Sequence, residues 1–144
     1  MQDVVVAAPY GGVYLGGDIY VNDEIMAAHV VESGSGGIWT YKKWSDGTAE
    51  CTAKIELSDI PVNAAFGNWY RSDVIYKATE WKYPFTFSEI PNVNMQFMTN
   101  NGTGGLVWSV AEGSKTVPSG FYLIRPTSAT AASGYVYVNV KGKI

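Results

Sequence analysis

The side chains in this chain that are best suited to binding chemistry are aromatic rings and polar groups between positions 66 and 83. Flat rings stack on the apolar face of a sugar, while the sugar hydroxyls take hydrogen bonds from polar side chains. We therefore predict a glycan site with Trp69, Tyr70 and Trp81 as stacking platforms and with Arg71 and Asp73 as polar partners. Rings mixed with polar groups also suit a contact between subunits, so that interpretation stays open. The stretch holds Phe66, Trp69, Tyr70, Tyr76, Trp81 and Tyr83, interspersed with Asn68, Arg71, Asp73, Lys77, Glu80 and Lys82.

Catalytic chemistry has few candidates in this sequence. The chain has one histidine, His29, so a Ser–His–Asp or Cys–His site would depend on a residue beside a glycine-rich run. The single cysteine, Cys51, is expected to be a small buried hydrophobic residue. The 13 carboxylates leave a glycosidase pair possible, but no spacing selects one. We predict no catalytic residue, no metal site, no cofactor and no enzymatic activity.

Composition limits the classes of partner. The chain has 144 residues, 47% of them hydrophobic and 16% charged, which predicts one folded domain with a sizeable core. The net charge is −3 and the one adjacent cationic pair is Lys42 with Lys43, so we expect no nucleic-acid partner. No apolar run reaches membrane-spanning length, and we expect no membrane insertion. The first twelve residues, MQDVVVAAPYGG, lack the positive start of a signal peptide, and we expect none.

The elements that must position these groups are predicted to be β-strands. The run at 36–51, GGIWTYKKWSDGTAEC, alternates with period 2 on either side of Asp46-Gly47, a dipeptide suited to a type I′ hairpin turn. The run YVYVNVK at 135–141 alternates in the same way. Residues 22–31 are the one short helix candidate. These patterns predict an all-β fold with an antiparallel, jelly-roll-like β-sandwich head. The predicted strands are 4–7, 12–15, 18–21, 37–45, 48–57, 84–88, 92–99, 105–111, 120–125 and 134–141.

The first third of the chain has a different organisation. VYLGGD at 13–18 is followed directly by IYVNDE, a six-residue repeat of the kind that solenoids use, although two copies also arise by chance. Two such short strands cannot bury their apolar side alone, so we expect neighbouring copies of the chain to cover it. The run SGSGG at 33–37 is expected to be a flexible joint. We therefore divide the chain into a short β stem and linker at 1–35 and a head at 36–144, and we predict a homotrimer. Its interface residues are predicted to be Val13, Leu15, Ile19 and Val21.

Several motifs resemble a known family. They are ESG at 32–34, IWTYKKW at 38–44, AEC at 49–51, YPFTF at 83–87, PNV at 91–93 and IRPTSAT at 124–130. Together they are similar to the C-terminal domain of tail-fibre proteins of tailed phages and prophages. One position departs from the pattern: Thr52 and Ala53 stand where a second aromatic residue after the cysteine is expected.

The resemblance implies a function and a location. It implies a non-catalytic, receptor-binding homotrimer at the tip of a phage tail fibre, in contact with a glycan or protein of the bacterial surface. It also implies a virion protein that is made in the bacterial cytoplasm, and it supplies no fixed set of receptor-binding residues. Two alternatives stay open, a carbohydrate-binding module of a secreted or cell-surface protein and a small glycan hydrolase.

Overall fold

The computed structural model describes residues 20–21, 24–25 and 27–144. All regular structure in this part of the chain is β-strand, as predicted. The strands are β1 (Tyr20–Val21), β2 (Glu24–Ile25), β3 (Val30–Gly36), β4 (Trp39–Trp44), β5 (Thr48–Val62), β6 (Ala64–Phe66), β7 (Trp69–Arg71), β8 (Asn92–Thr99), β9 (Leu106–Ser109), β10 (Phe121–Arg125) and β11 (Ala129–Lys143).

Two antiparallel sheets form the body of the protein. One has five strands in the order β3-β4-β5-β11-β8, and the other has four in the order β6-β7-β10-β9. Buried side chains from both sheets, among them Val136 and Val138 of β11 and Phe121 and Leu123 of β10, belong to a single apolar cluster. The fold is therefore all-β with its core between two antiparallel sheets, which is consistent with the predicted β-sandwich. A separate two-stranded hairpin pairs β1 with β2.

The alternating run in the last strand has the predicted orientation. Val136, Val138 and Val140 are at most 2% exposed, whereas Tyr137 and Asn139 between them are exposed. Opposite faces of a strand carry alternate residues, so the valines enter the core and the polar residues face solvent.

The β4–β5 hairpin forms where it was predicted, but with a different turn. Of residues 45–47, Gly47 alone has a positive φ, 84°, whereas a type I′ turn needs two residues with positive φ. The Asp46 carboxylate accepts hydrogen bonds from the Thr48 hydroxyl at 2.7 Å and from the Thr48 amide at 3.0 Å. These bonds, the side-chain one first, hold the pKa of Asp46 below its ordinary value. The carboxylate therefore stabilises a three-residue loop in which only glycine needs the left-handed conformation.

The predicted strand at 84–88 does not form, because this segment packs across the core instead of joining a sheet. Its backbone is bonded to other loops: the Tyr83 amide donates to the carbonyl of Thr116 at 2.8 Å, and the Phe87 amide donates to that of Lys115 at 3.0 Å. Pro84 has no amide proton to donate to a ladder. Trp39, which lies in β4, holds the residues just before this segment, because its indole nitrogen donates a hydrogen bond to the Trp81 carbonyl at 3.2 Å.

The predicted flexible joint is part of a strand. Residues 33–36 belong to β3, which pairs with β4, so the predicted boundary between stem and head at 35/36 falls inside the five-stranded sheet. Gly34 lies opposite Tyr41, and a β-carbon there would approach the Tyr41 hydroxyl at 2.9 Å. Glycine at this position therefore lets the Tyr41 side chain lie close to the strand. The helix candidate at 22–31 is also not formed in its described part, because Val30 and Val31 begin β3.

The predicted trimer contacts lie mostly outside the described residues. Val13, Leu15 and Ile19 are not among them, and neither are the predicted strands 4–7 and 12–15. Val21 belongs to β1, where its backbone pairs with Glu24. The stem interface stays a prediction.

The burial of Cys51 can be tested by measuring how the free energy of unfolding depends on pH. Burial raises the pKa of its thiol from 9.0 to about 12, with a smaller contribution from the charge of Glu50. Above the unfolded pKa the unfolded chain releases a proton that the folded chain keeps, so the free energy of unfolding is constant below that pH and decreases above it. At pH 10 we expect a loss of about 1 kcal/mol relative to pH 8, and Cys51→Ala should remove this loss.

Denaturant unfolding at the two pH values measures the effect. Burial also raises the pKa of Tyr83 above its ordinary value of 10.0. An unfolded tyrosine is half ionised at pH 10, so Tyr83 adds a loss of the same sign of about 0.4 kcal/mol there and more above it, and the Cys51→Ala variant should keep this smaller loss. The comparison therefore stops at pH 10. A Cys51→Ala variant that lost as much stability as the original protein over this interval would contradict the assignment.

Candidate functional site

The outer face of the four-stranded sheet carries an exposed group of aromatic side chains. Residues directly opposite each other in adjacent antiparallel strands lie on the same face. The register therefore joins side chains from all four strands on one surface, since Tyr122 lies opposite Trp108, Ile124 lies opposite both Leu106 and Arg71, and Phe66 lies opposite Trp69. We call this surface the aromatic face; its members are Ala64, Phe66, Trp69, Arg71, Leu106, Trp108, Tyr122 and Ile124.

Three of its rings are in contact. The ring centroids of Phe66 and Trp108 are 5.4 Å apart with an interplanar angle of 79°, which is an edge-to-face arrangement. Those of Phe66 and Tyr122 are 6.2 Å apart. Such contacts restrict the orientations of the rings. The surface nevertheless stays open, because Trp108 is 51% exposed and Trp69 is 37% exposed.

Arg71 is the one charged residue of the aromatic face. Its guanidinium carbon lies 4.8 Å from the centroid of the Tyr122 ring, within the range of a cation–π contact. One guanidinium nitrogen donates to the carbonyl of Ser72 at 3.0 Å. Among the described residues Arg71 forms no ion pair; the two pairs found there join Lys43 with Glu32 and Lys77 with Glu80.

Ser72 attaches the strand that carries Arg71 to its neighbour. It is 1% exposed, and its hydroxyl accepts a hydrogen bond from the Leu123 amide at 2.9 Å. The Ser72 amide donates in turn to the Leu123 carbonyl at 2.9 Å. These bonds continue the short β7–β10 pairing, so the backbone that carries Arg71 is fixed relative to the strand that carries Tyr122.

A groove adjoins one end of the aromatic face. Its volume is about 420 Å³, and it is lined by Val74, Tyr76, Val110 and the turn at 117–120. Val110 follows Trp108 by two residues and its amide donates to the carbonyl of Gly120. A β-carbon on Gly120 would lie 3.0 Å from atoms of Val74 and Tyr76, so glycine is what allows these two side chains to approach. The groove and the aromatic face form one largely apolar surface.

The outer face of the five-stranded sheet has a different character. Its central strands expose Tyr137 beside Asn139, and the amide of Asn139 donates to Glu50 at 3.4 Å. The ammonium of Lys54 lies 3.8 Å from the centroid of the Tyr135 ring. Polar groups and both signs of charge are typical of the solvated face of a sandwich.

The structure separates the five residues predicted for the glycan site. Trp69 and Arg71 belong to the aromatic face. Tyr70 lies between them in sequence and therefore faces the interior, where it packs against the core. Asp73 is exposed just beyond the end of β7. Trp81 was predicted as a stacking platform, and this was wrong.

Trp81 cannot stack on a ligand because it is inside the protein. It is 2% exposed, and its ring is stacked on that of Phe121 with centroids 5.7 Å apart and an interplanar angle of 7°. Tyr83, in the same stretch, packs edge-on against Trp39 at 5.3 Å. Trp81 and Tyr83 at the end of the stretch 66–83 therefore supply core, whereas Trp69 near its start supplies surface.

Two members of the site were missed by sequence reasoning. They are Trp108 and Tyr122, which lie outside the stretch at 66–83 from which the site was predicted. In the run LVWSV at 106–110 the alternate residues Leu106, Trp108 and Val110 indicate one apolar face, but Val107 makes the other face apolar as well. That pattern indicates a strand without indicating which side meets solvent.

The described residues contain no group of three or more His, Cys, Asp or Glu side chains placed to hold a metal ion. No helix that could cross a membrane occurs in the same part of the chain. No protein-family model, curated protein or solved structure matches this chain. A function must therefore be argued from the aromatic face and from the motifs of the sequence.

Replacing Trp81 and Trp69 by alanine separately tests the division between core and surface. Trp81→Ala leaves a cavity beside Phe121 and should lower the free energy of unfolding by about 3–5 kcal/mol. Trp69→Ala removes a partly exposed ring and should change it by less than about 1 kcal/mol. Urea unfolding followed by far-ultraviolet circular dichroism measures both values. Equal losses would contradict the placement of the two rings.

Proposed function

We propose that this protein is a non-catalytic, receptor-binding head of a phage tail fibre, a jelly-roll-like homotrimer that binds a bacterial surface glycan on its aromatic face. The motifs that resemble tail-fibre domains support it. Trp39, Cys51, Tyr83 and Phe87, which lie in those motifs, are all buried in the common core. These four resembling residues are therefore ones that would maintain a shared fold.

The main support for the proposed glycan binding is the exposure of Trp108 on the four-stranded sheet. Trp108 exposes half of its surface although β9 is firmly paired with β10. Leaving a large ring in water forgoes the roughly 1.5–3 kcal/mol that burial of such a side chain contributes. A ring held at the surface by a rigid scaffold supplies a stacking surface at low entropic cost on binding.

The chemistry of the aromatic face suits binding rather than reaction. The face as defined carries no carboxylate, imidazole or thiol group for acid–base or nucleophilic catalysis. Its charged group is a guanidinium, which donates hydrogen bonds and accepts none. A surface of this composition can orient a sugar without cleaving it.

Binding to host cells and to a glycan array tests the proposed function. Trp108→Ala should weaken binding by about tenfold or more, since truncating a central aromatic anchor commonly costs over 1 kcal/mol. Tyr137→Ala provides the matched control, because Tyr137 is 46% exposed on the other sheet. Its binding and the melting temperatures of both variants should be unchanged. Undiminished binding by the Trp108 variant would contradict a glycan site on this face.

A second function for the aromatic face and the adjoining groove is favoured by their exposed aliphatic residues. Leu106 is 57% exposed, Val74 is 49% exposed and Val110 is 45% exposed. Exposed apolar residues that adjoin each other often mark a contact between proteins. Under this alternative the aromatic face is where the copies of a homotrimer meet, and the receptor binds elsewhere on the head.

Light scattering separates these possibilities. A homotrimer has three times the 15.6 kDa mass of the chain, and we expect this mass for the full chain. Leu106→Glu should leave the mass unchanged if the stem holds the copies together, and should reduce it if the aromatic face does. A monomeric full chain would count against a fibre head and would favour a carbohydrate-binding module.

A further inference from the structure

Arg71 has binding capacity that the protein does not use. A guanidinium has five N–H donors, and in the described residues one hydrogen bond is made, to the Ser72 carbonyl. Its guanidinium carbon lies 4.8 Å from the centroid of the Tyr122 ring, within the range of a cation–π contact, so the remaining N–H donors lie beside an aromatic ring. The residue is half-buried, and no acidic residue within the described part of the chain pairs with it.

An unpaired cation among apolar rings favours an anionic partner. A half-buried charge is less well solvated than a fully exposed one, and its interaction with an opposite charge is screened less. Guanidinium binds carboxylate and phosphate through two parallel hydrogen bonds, a geometry that matches both anions. The other members of the aromatic face carry no charge, and Asp73, two residues beyond Arg71, is exposed and forms no ion pair with it.

We propose that the ligand is an acidic saccharide whose carboxylate or phosphate group binds Arg71 while a sugar ring stacks on Trp108 or Trp69. This inference rests on the proposed glycan binding and specifies its substrate class. Stacking selects for a flat apolar sugar face, and the guanidinium selects for an anion beside it. The rings alone would not distinguish an acidic saccharide from a neutral one, and the guanidinium alone would not distinguish it from a free anion.

Two alternatives fit less well, a nucleic-acid ligand and a binding site on the opposite sheet. A nucleic acid presents a row of phosphates and needs several clustered cations, whereas the aromatic face offers one and the chain has a net charge of −3. The opposite sheet also carries cations, but the ammonium of Lys54 there lies over Tyr135 in a strand that also carries Glu50 and Glu56. That strand is therefore mixed in charge, whereas Arg71 is the one charged member of the aromatic face.

The test uses an array of uronate-containing and phosphomonoester-containing oligosaccharides, each beside its carboxyl-reduced or dephosphorylated counterpart. The full chain should bind at least one acidic member about tenfold more tightly than its neutral counterpart, as a charge-assisted pair of hydrogen bonds requires. The two chemistries on the array distinguish carboxylate from phosphate. Arg71→Gln should abolish the preference, and Arg71→Lys should retain a part of it, because lysine keeps the charge but loses the planar fork.

Lys54→Gln is the matched control, since it removes a cation that also lies over a tyrosine ring but on the other sheet. It should leave the preference intact, and melting temperatures establish that all variants are folded. Equal binding of acidic and neutral members, with loss of both in Trp108→Ala, would overturn the acidic class and leave the glycan site standing. A preference that persists in Arg71→Gln would overturn the role of Arg71. If no saccharide on the array is bound and host cells are bound through a protein, both this inference and the proposed glycan site fall.

Discussion

The antiparallel ladder between β5 and β11 is the constraint on which the rest of the structure depends. It lies in the middle of the five-stranded sheet and runs from Thr48 opposite Lys143 to Val62 opposite Ala129. Because strand side chains alternate, this register sends Val136, Val138 and Val140 into the core as a set. A shift by one residue would turn all three to solvent and bring Tyr137 and Asn139 inward. The register of β4 and β8 follows from the same ladder, since each pairs with one of its two strands.

The apolar side of this ladder needs a cover, and two different parts of the chain provide it. The four-stranded sheet contributes Phe121 and Leu123, and the irregular segment at 81–87 contributes Trp81, Tyr83 and Phe87. The rings of this segment form a chain of edge-to-face contacts that runs from Trp39 through Tyr83 to Phe87 and Phe85. Rings of this size fill the space between the sheets where no strand crosses it.

The same arrangement explains the position of the candidate site. The four-stranded sheet uses one face to cover the core, so its other face has no layer over it in the described part of the chain. Trp69, Trp108 and Tyr122 stand on that face, and pairing of β7, β9 and β10 fixes their backbone. Binding residues on strands are held more precisely than residues on free loops, which suits a surface that must present rings and a guanidinium in fixed relation. The glycan proposal and the subunit-contact alternative both follow from this exposed layer, and they differ in what covers it.

Local pattern was sufficient to predict the strands with regular alternation. The β4–β5 hairpin, β8, β10 and β11 lie at the positions that period-2 alternation and turn residues predict. This is because the alternation of buried and exposed side chains can be read from the residues of one strand. The glycine-rich segment that forms β3 carried no such pattern, and its pairing with β4 became visible only in the sheet. The segment at 84–88 alternates like a strand, yet Pro84 and the packing of Phe85 against Tyr41 and of Phe87 against Tyr83 keep it out of one.

The site was predictable only in part, for a related reason. Trp69 and Arg71 were identified because rings and polar groups are adjacent in the stretch at 66–83. Trp81 was misassigned because the sequence does not show which rings of that stretch are covered by the rest of the fold. Trp108 and Tyr122 are about 40 residues or more from Trp69 along the chain, and only the β9–β10–β7 register places them on one face. The sequence by itself determined that this protein is built from β-strands, with aromatic residues both in the strands and in the segments that connect them. The tertiary structure alone decided which aromatic residues became core and which became surface, because burial depends on the layer that packs against a strand and not on the strand itself.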